Sequence, residues 1–263
     1  MALALIKCKL KMRQDIILFG LIFLAINSFC QTESIKRSKT AISLNGKTQY
    51  LCIPDNQGNE SILNTENELT IEALIKPLKI CGYNAIANKH WCHPSEGGAF
   101  HFGVRDGKLT FVWTETGDCN SYASVTTKKS LIKNNKQVSV GVTFFKGQVT
   151  LFVNGKPQDV IKQGDLKRIN VTPSPILIGS YKKLSGEYSS FFYGIIDEFR
   201  FWNVARTPQE IKANRKKTFI GKNEHLVVNL SFENIPAMNE YGSYSIEPIC
   251  IAASLPEIII TRK

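Results

Sequence analysis

Apolar and polar residues alternate along most of the chain with a period of two. The segment ELTIEALIKP, residues 68–77, shows the alternation most clearly. Its apolar side consists of Leu69, Ile71, Ala73 and Ile75. Its polar side consists of Glu68, Thr70 and Glu72. This pattern is typical of a strand that buries one side of a sheet against a core, so it predicts half-buried β-strands.

Tight-turn dipeptides separate the predicted strands. Asp106-Gly107 joins AFHFGV to KLTFVW, Lys146-Gly147 joins VSVGVTFF to QVTLFV, and Asn154-Gly155 follows QVTLFV. Asp-Gly and Asn-Gly readily adopt the positive φ angles that two-residue hairpin turns require. Short strands with turn signals about every eight to twelve residues predict an all-β fold, a two-sheet antiparallel β-sandwich.

One helix is predicted. Thr207-Pro208-Gln209-Glu210 places a hydroxyl at the N-cap, proline at the first helical position and glutamate three residues after the cap. That combination is a capping box. Ile211 and Ala213 are expected to face inward, on a short helix at the rim of the sandwich.

The first thirty residues are predicted to be a secretory signal peptide. Four basic residues precede an apolar run at 16–26, and Ser28-Phe29-Cys30 follows. The apolar run is too short to span a membrane, which takes about 20 residues. A lipoprotein signal ending at Cys30 is less favoured because Phe29 is bulky. The predicted organisation is therefore a signal peptide (1–30), a polar linker (31–39) and one domain (40–263) without a membrane span.

The predicted exported chain is basic. Residues 31–263 contain 29 basic and 21 acidic residues, so the net charge falls from +11 for the whole chain to +8. An exported protein seldom meets nucleic acid, so acidic polysaccharides and anionic cell surfaces are the expected partners. The alternative is that the charge serves only solubility.

Five cysteines follow the predicted signal, and export permits disulfides. Cys92 and Cys119 lie nearly symmetrically about the first hairpin turn, which predicts a Cys92–Cys119 bridge. Cys81–Cys119 is the main alternative, and Cys52–Cys250 is a weaker second bridge. The histidines beside Cys92 leave a zinc site as a less favoured interpretation.

Several segments together resemble a known family. GIIDEFRFWNVARTPQEIKAN resembles the closing strand and helix of laminin-G-like jelly rolls of secreted bacterial proteins, and the order and spacing match from about residue 41 to 233. The other matching segments are SLNGKTQYLCIPD, LTIEALIKP, VSVGVTFFKGQVTLFVNGKPQ, PILIGS and NEHLVVNLSFEN. The resemblance implies a concanavalin A-type jelly roll. Many members bind carbohydrate or protein ligands, several hold calcium, and related folds include glycosidases, so fold alone does not assign function. Residues 235–263 depart from the family pattern and predict one or two extra strands.

A carboxylate on an apolar strand face is the candidate metal ligand. In IIDEFRF, alternation places Asp197 on the same side as Ile195, Phe199 and Phe201. A buried charge needs hydrogen bonds, a basic partner or a cation. The structural alternative is favoured; calcium bound by Asp197, with Asn45 as a companion ligand, is the second interpretation.

Catalysis is not expected. The E-x-D-x-x-E pattern of concanavalin-like hydrolases is missing from the sequence, and Asp197 and Glu198 are adjacent, so they point to opposite faces. Glu115 and Asp118 lie in a polar segment that offers nothing to raise a pKa. A glycoside hydrolase is the least favoured class.

Aromatic residues in loops are the candidate sugar-binding platforms. Trp91 and Tyr122 flank the predicted bridge, and Tyr83 lies in the preceding loop. Trp113 and Trp202 are expected to pack in the sandwich instead.

Basic residues on the predicted helix are a second candidate site. Lys212, Arg215 and Lys216 fall three and four residues apart, a spacing that suits sulfate or carboxylate groups of a glycan, although a solvated helix face is the commoner outcome. The sequence as a whole predicts a secreted or cell-surface binding module without catalytic activity. Carbohydrate is the expected ligand, and an adhesive domain that contacts surface proteins is the alternative.

Overall fold

Strands dominate the part of the chain that a computed structural model describes: residues 39–55, 61–89, 97–118, 120–183, 185–219, 223–232 and 257–261. Within those ranges the first eight strands are β1 (Lys39–Asn45), β2 (Leu51–Ile53), β3 (Glu68–Pro77), β4 (Tyr83–Lys89), β5 (Phe100–Arg105), β6 (Lys108–Trp113), β7 (Ala123–Thr126) and β8 (Val138–Phe145). The next eight are β9 (Gln148–Val153), β10 (Lys156–Gln163), β11 (Ile176–Ile178), β12 (Tyr181–Lys182), β13 (Tyr188–Ser189), β14 (Tyr193–Trp202), β15 (Leu226–Leu230) and β16 (Glu257–Thr261). The helix is α1 (Pro208–Asn214).

The strands form two large antiparallel sheets and one small one. The eight-stranded sheet has the order β10-β9-β8-β3-β14-β1-β16, with β15 beside the second half of β14. The six-stranded sheet has the order β2-β11-β4-β5-β6-β7, and β12 pairs with β13 in a separate hairpin. The predicted two-sheet antiparallel sandwich with one short helix is confirmed.

The core lies between the two large sheets. Leu69, Ile71, Ala73 and Ile75 of β3 belong to it, as the alternation predicted. From the six-stranded sheet, Phe102 of β5 and Phe111 of β6 pack into the same cluster. Because one face of each sheet supplies this cluster, alternate residues of the same strands lie on the outer faces of the sandwich.

The three predicted hairpin turns are confirmed. Asp106 and Gly107 have φ angles of 49° and 78°, and Asn154 and Gly155 have 53° and 71°. The Lys146-Gly147 turn follows the same pattern between β8 and β9. Positive φ at both central residues matches the right-handed twist of the flanking strands.

A β-bulge changes which side of β14 points into the core. The pairing of β14 with β3 shifts register between Asp197 and Arg200, and Glu198 adopts a φ of 50°. Before the bulge Ile196 is the residue that joins the core, and after it Phe199 does. The prediction that Asp197 shares the apolar side with Phe199 is therefore wrong, because the extra residue reverses the alternation between them.

Helix α1 begins at the predicted cap. The Thr207 hydroxyl accepts from the Glu210 backbone N–H, and the Glu210 carboxylate accepts from the Thr207 backbone N–H at 2.8 Å. Ile211 is buried as predicted, whereas Ala213 is exposed, which corrects its expected inward position. The segment before the helix covers the outer face of the eight-stranded sheet, where Arg206 lies 3.0 Å from Glu72.

The C-terminal strand lies at an edge of the larger sheet. β16 pairs antiparallel with β1, with Ile258 opposite Ile42. One extra strand beyond the resembling segments is thus present among the described residues. No helix in those residues is long and apolar enough to cross a membrane.

Candidate functional site

A groove of about 390 Å³ lies on the outer face of the six-stranded sheet. Strands β4 to β7 form its floor and the β12–β13 hairpin forms one side. Its described lining residues are Tyr83, His101, Arg105, Thr110, Val112, Tyr122, Ser124, Thr126 and Tyr181. A volume of this size falls in the range of small-molecule sites.

Strand alternation places these side chains. On β5, Phe100 and Phe102 point into the core, so His101 and Arg105 point outward. On β6, Phe111 points inward, and its neighbours Thr110 and Val112 line the groove. Cross-strand pairing then aligns His101 with Val112, and Val112 with Ser124 of β7.

Aromatic rings and a guanidinium form one wall. The His101 ring lies 5.7 Å from the Tyr83 ring and 5.0 Å from the Tyr181 ring, measured between centroids. The Arg105 guanidinium carbon lies 5.5 Å from the Tyr83 ring centroid, in the range of a cation–π contact. A β-carbon at Gly103 would lie only 2.6 Å from the Tyr83 hydroxyl oxygen, so the glycine permits the ring to lie across β5.

The Tyr83 hydroxyl is a buried group with unused hydrogen-bonding capacity. It has no hydrogen-bond partner among the described residues. Burial raises the pKa of the phenol, and the positive charge of Arg105 lowers it by less. The phenol therefore keeps its proton and offers a donor and an acceptor at the edge of the groove.

Hydroxyl groups and one exposed ring form the opposite wall. Tyr122 is 56% exposed. The Thr110 and Thr126 hydroxyl oxygens lie 2.8 Å apart and share a hydrogen bond. This wall combines an apolar ring face with polar groups, the mixture that suits the faces and hydroxyls of a sugar.

The charge of the groove is positive. Arg105 is exposed, and no aspartate or glutamate occurs among the described lining residues. An anionic ligand could therefore pair with the Arg105 guanidinium, and no carboxylate of the described lining would repel it.

The structure brings together two of the three predicted aromatic residues. Tyr83 and Tyr122 line the same groove, while Trp91 lies outside the described residues. The expected core positions of Trp113 and Trp202 are confirmed, at 0% and 2% exposure. Sequence reasoning missed His101, Arg105 and Tyr181; alternation on β5 could have indicated the first two, once Phe100 and Phe102 were assigned to the core.

The basic residues of α1 lie elsewhere. Arg206, which leads into the helix, contacts Glu72 on the outer face of the eight-stranded sheet, opposite the groove. Lys212 is exposed, and Arg215 is half-buried, with its guanidinium donating to the Lys212 carbonyl at 2.6 Å. Lys216 is exposed. The helix cluster and the groove are separate surfaces.

The candidate calcium ligands do not fit one shared ion. Asn45 pairs with Tyr193, so Asp197 lies four residues further along β14, roughly 13 Å away at about 3.3 Å per residue. The Asn45 side-chain oxygen accepts from the backbone N–H groups of Lys47 and Thr48 at 2.9 and 3.0 Å. Within the described ranges no group of three or more His, Cys, Asp or Glu residues could hold a metal ion. Calcium binding stays a prediction.

Asp197 has a local structural contact. Its carboxylate accepts from the Glu198 backbone N–H at 2.8 Å, within the bulge where Glu198 has a positive φ. Asp197 is 4% exposed. The favoured prediction for Asp197 is a structural role, with the carboxylate held by hydrogen bonds or a basic partner. The contact with the Glu198 N–H is consistent with that role.

The predicted Cys92–Cys119 bridge lies outside the described residues. Of the cysteines that are described, Cys52 is buried and Cys81 exposed, and both are free thiols. Burial raises the pKa of the Cys52 thiol to about 11, so this group is unreactive near neutral pH.

The carboxylates considered for catalysis are occupied by other contacts. Glu115 accepts from the Arg168 guanidinium at 2.9 Å, and this hydrogen bond is the main cause that lowers the pKa of Glu115. Asp118 accepts from the Asn120 backbone N–H at 2.8 Å. A lowered pKa is the opposite of what a general acid requires.

Comparisons with known proteins agree with this architecture. The family model of the concanavalin A-like lectin/glucanases superfamily matches residues 45–212. Among solved structures, the Ruminococcus gnavus IT-sialidase CBM40 bound to α2,3-sialyllactose is similar, with a TM-score of 0.53 and 14% identity over 66% of this chain and 95% of that chain. A putative carbohydrate binding protein from Bacteroides ovatus has a TM-score of 0.53 and 18% identity over 76% of this chain and 53% of that chain.

A third similar structure is the heptameric SAP-like pentraxin of Limulus polyphemus. Its TM-score is 0.50, with 18% identity over 68% of this chain and 82% of that chain. Identities this low show a shared fold and no more. No curated protein sequence matches the chain.

Proposed function

The chain belongs to the concanavalin A-like lectin/glucanases superfamily, and on that premise we propose that it is an exported, non-catalytic module that binds carbohydrate in the groove of its six-stranded sheet. The observation that carries the proposal is the composition of the groove. Exposed Tyr122 faces a wall of Tyr83, His101 and Tyr181, with hydroxyl groups between them. Flat rings cover the apolar faces of a sugar, and hydroxyls and amides bind its polar edges.

An anionic glycan is the finer proposal. Arg105 lies exposed at the groove, and the described lining offers no carboxylate to repel an acidic sugar. The excess of basic over acidic residues in the whole chain adds long-range attraction. The carbohydrate-binding module of similar fold that was solved with α2,3-sialyllactose, an acidic sugar, supports the same ligand class.

The proposed absence of catalysis rests on the carboxylates. Glycoside hydrolysis needs a pair of them about 5–9 Å apart across the bond that breaks. The described groove contains none, and Glu115 is held by Arg168 away from the lining set. The proposed role is therefore binding without turnover.

A glycan array tests the proposal. The full chain would be applied to printed neutral, sialylated and sulfated oligosaccharides, and the strongest binders titrated by calorimetry. We expect Tyr122→Ala and Arg105→Gln each to weaken binding by about tenfold or more, the loss that follows when a central contact of a small site is removed. For an acidic glycan, binding should also weaken as salt rises, because exposed charges are screened within about 8–10 Å. Trp91→Ala is expected to weaken binding similarly.

Matched controls come from other surfaces. Tyr193→Ala changes a tyrosine that is 41% exposed on the eight-stranded sheet, and Lys212→Gln with Lys216→Gln changes the helix cluster. These variants should keep wild-type affinity. Loss of binding in the helix variants alone would move the site to α1, and polysaccharide hydrolysis by the wild type would overturn the non-catalytic assignment.

Adhesion through protein contacts is the second candidate. Ile161 is 66% exposed on β10, an edge strand of the eight-stranded sheet. Exposed edge strands can pair with a partner chain. If no printed glycan binds, and Ile161→Lys abolishes attachment to a protein-coated surface, this candidate replaces the first.

A further inference from the structure

One row of outward residues crosses the entire six-stranded sheet beneath the groove. Strand pairing sets the row as Cys52, Leu177, Asn88, His101, Val112 and Ser124. The last three line the open groove. Asn88 is the next residue in the row after His101, and directly opposed residues of this kind have β-carbons about 4.5–5.5 Å apart.

The β12–β13 hairpin covers the part of the row that contains Asn88. Tyr181 of β12 lies 5.0 Å from the His101 ring, on one side of Asn88. Tyr188 of β13 packs on the cluster that includes Leu177, on the other side. Asn88 is accordingly 0% exposed, although it lies on an outer face of the sandwich.

The Asn88 carboxamide is buried without a hydrogen-bond partner. Neither its oxygen nor its nitrogen has one among the described residues, and the buried Ser189 hydroxyl of the covering hairpin has none either. Asn84 on the same strand is different, since its amide donates to the carbonyls of Cys81 and Gly82. Buried polar groups are almost always satisfied, so an unsatisfied carboxamide beside an open groove needs an explanation other than stability.

The hairpin is attached to the sheet by few polar contacts. The described backbone-to-backbone hydrogen bonds of residues 181–189 are made within the hairpin, as between Lys183 and Glu187. The Ser189 carbonyl also accepts from the Ser180 hydroxyl, at the base of the hairpin. Hydrogen bonds to β4 lie just before and just after the hairpin. The Gly179 N–H donates to the Ile86 carbonyl, and the Ala85 N–H donates to the Ser190 carbonyl. The ion pair of Lys183 with Glu187 is exposed and adds little. Such a segment can shift while its two ends stay fixed.

We propose that Asn88 is a ligand-binding residue of the groove, reached when the β12–β13 hairpin is displaced, and that its carboxamide binds two adjacent sugar hydroxyls. The oxygen accepts from one hydroxyl while the nitrogen donates to the other. The Ser189 hydroxyl and the Tyr83 hydroxyl also gain a partner in the liganded state. This inference rests on the proposed carbohydrate function.

Asn88→Leu separates a binding role from a structural one. Leucine has a similar size and removes the unsatisfied groups, so the variant should keep or raise the melting temperature. On the same array of neutral, sialylated and sulfated oligosaccharides, its signals should fall at least tenfold below wild type. Asn84→Leu is the matched control, because it removes satisfied hydrogen bonds and should lower the melting temperature.

A spectroscopic measurement on the wild type complements the variant. The side-chain amide resonances of Asn88 in the ¹⁵N-labelled full chain should shift when the strongest array glycan is added, and those of Asn84 should not. An unmoved Asn88 signal, or an Asn88→Leu variant that binds within twofold of wild type, overturns the inference while Tyr122→Ala still supports the groove. Failure of the wild type to bind any printed glycan overturns both.

Discussion

The stability of the sandwich should depend strongly on one buried ion pair at the end of β4. The Lys89 ammonium lies 2.6 Å from the Asp55 carboxylate, with side-chain exposures of 1% and 0%, and also donates to the Ser174 carbonyl at 2.8 Å. Burial lowers the pKa of Lys89, and the hydrogen bond that its ammonium donates to Asp55 raises it by less. Lys89 also lies two residues before Trp91 in the sequence, a residue with a predicted role in binding.

Asp55→Asn removes the counter-charge and leaves the ammonium buried. Breaking one side of a buried pair typically costs about 3–5 kcal/mol, because the remaining charge is neither paired nor solvated. At roughly 2–4 °C per kcal/mol for a domain of this size, the melting temperature should fall by about 6–20 °C. The double replacement Asp55→Leu with Lys89→Met removes both charges and should be far less destabilised than Asp55→Asn.

Urea denaturation across a pH series is the assay. In Asp55→Asn the folded-state pKa of Lys89 should lie further below its unfolded value of about 10.4. The folded state then binds fewer protons than the unfolded state above that folded pKa, so stability should rise as pH increases towards 10.4. A loss below about 1 kcal/mol, or a double variant as unstable as the single one, would refute the reasoning.

Two further predictions concern the metal and the disulfide. Asp197→Ala should lower the free energy of unfolding by about 1–3 kcal/mol through the lost bulge contact, equally with and without chelator; a wild-type melting temperature that falls in chelator would support calcium instead. Peptide mapping of the full chain without reductant should recover Cys92 linked to Cys119, and a peptide that links Cys119 to Cys81 would contradict that pairing.

Local chemistry explains why much of the fold could be predicted. The Asp106-Gly107 turn depends on the φ preferences of two residues, and the α1 cap on four consecutive ones. The inner face of β3 follows from the period of two, because each residue is placed by its immediate neighbours. None of these features needs information from distant parts of the chain.

The bulge in β14 is a different case. Its sequence, IIDEFRF, gives a regular alternation, yet Glu198 takes a positive φ that shifts the register against β3. At this point β14 exchanges one neighbour for another, from β1 to β15. That change is a property of the assembled sheet, and the side of the strand that Asp197 occupies could not be read from the local pattern.

The loops that cover the outer faces of the sheets limited how much of the candidate site could be predicted from the sequence. Thr70 and Glu72 were expected on a polar surface, yet the segment that leads into α1 buries both; Asn88 is buried in the same way by a hairpin whose strands are two residues long. Periodicity states which side of a strand faces away from the core, but whether that side meets solvent depends on loops that fold back over it. Where such a loop satisfies the polar groups beneath it, as Arg206 does for Glu72, the cover is structural. Where it leaves them unsatisfied, as over Asn88, the proposed explanation is a ligand that binds them.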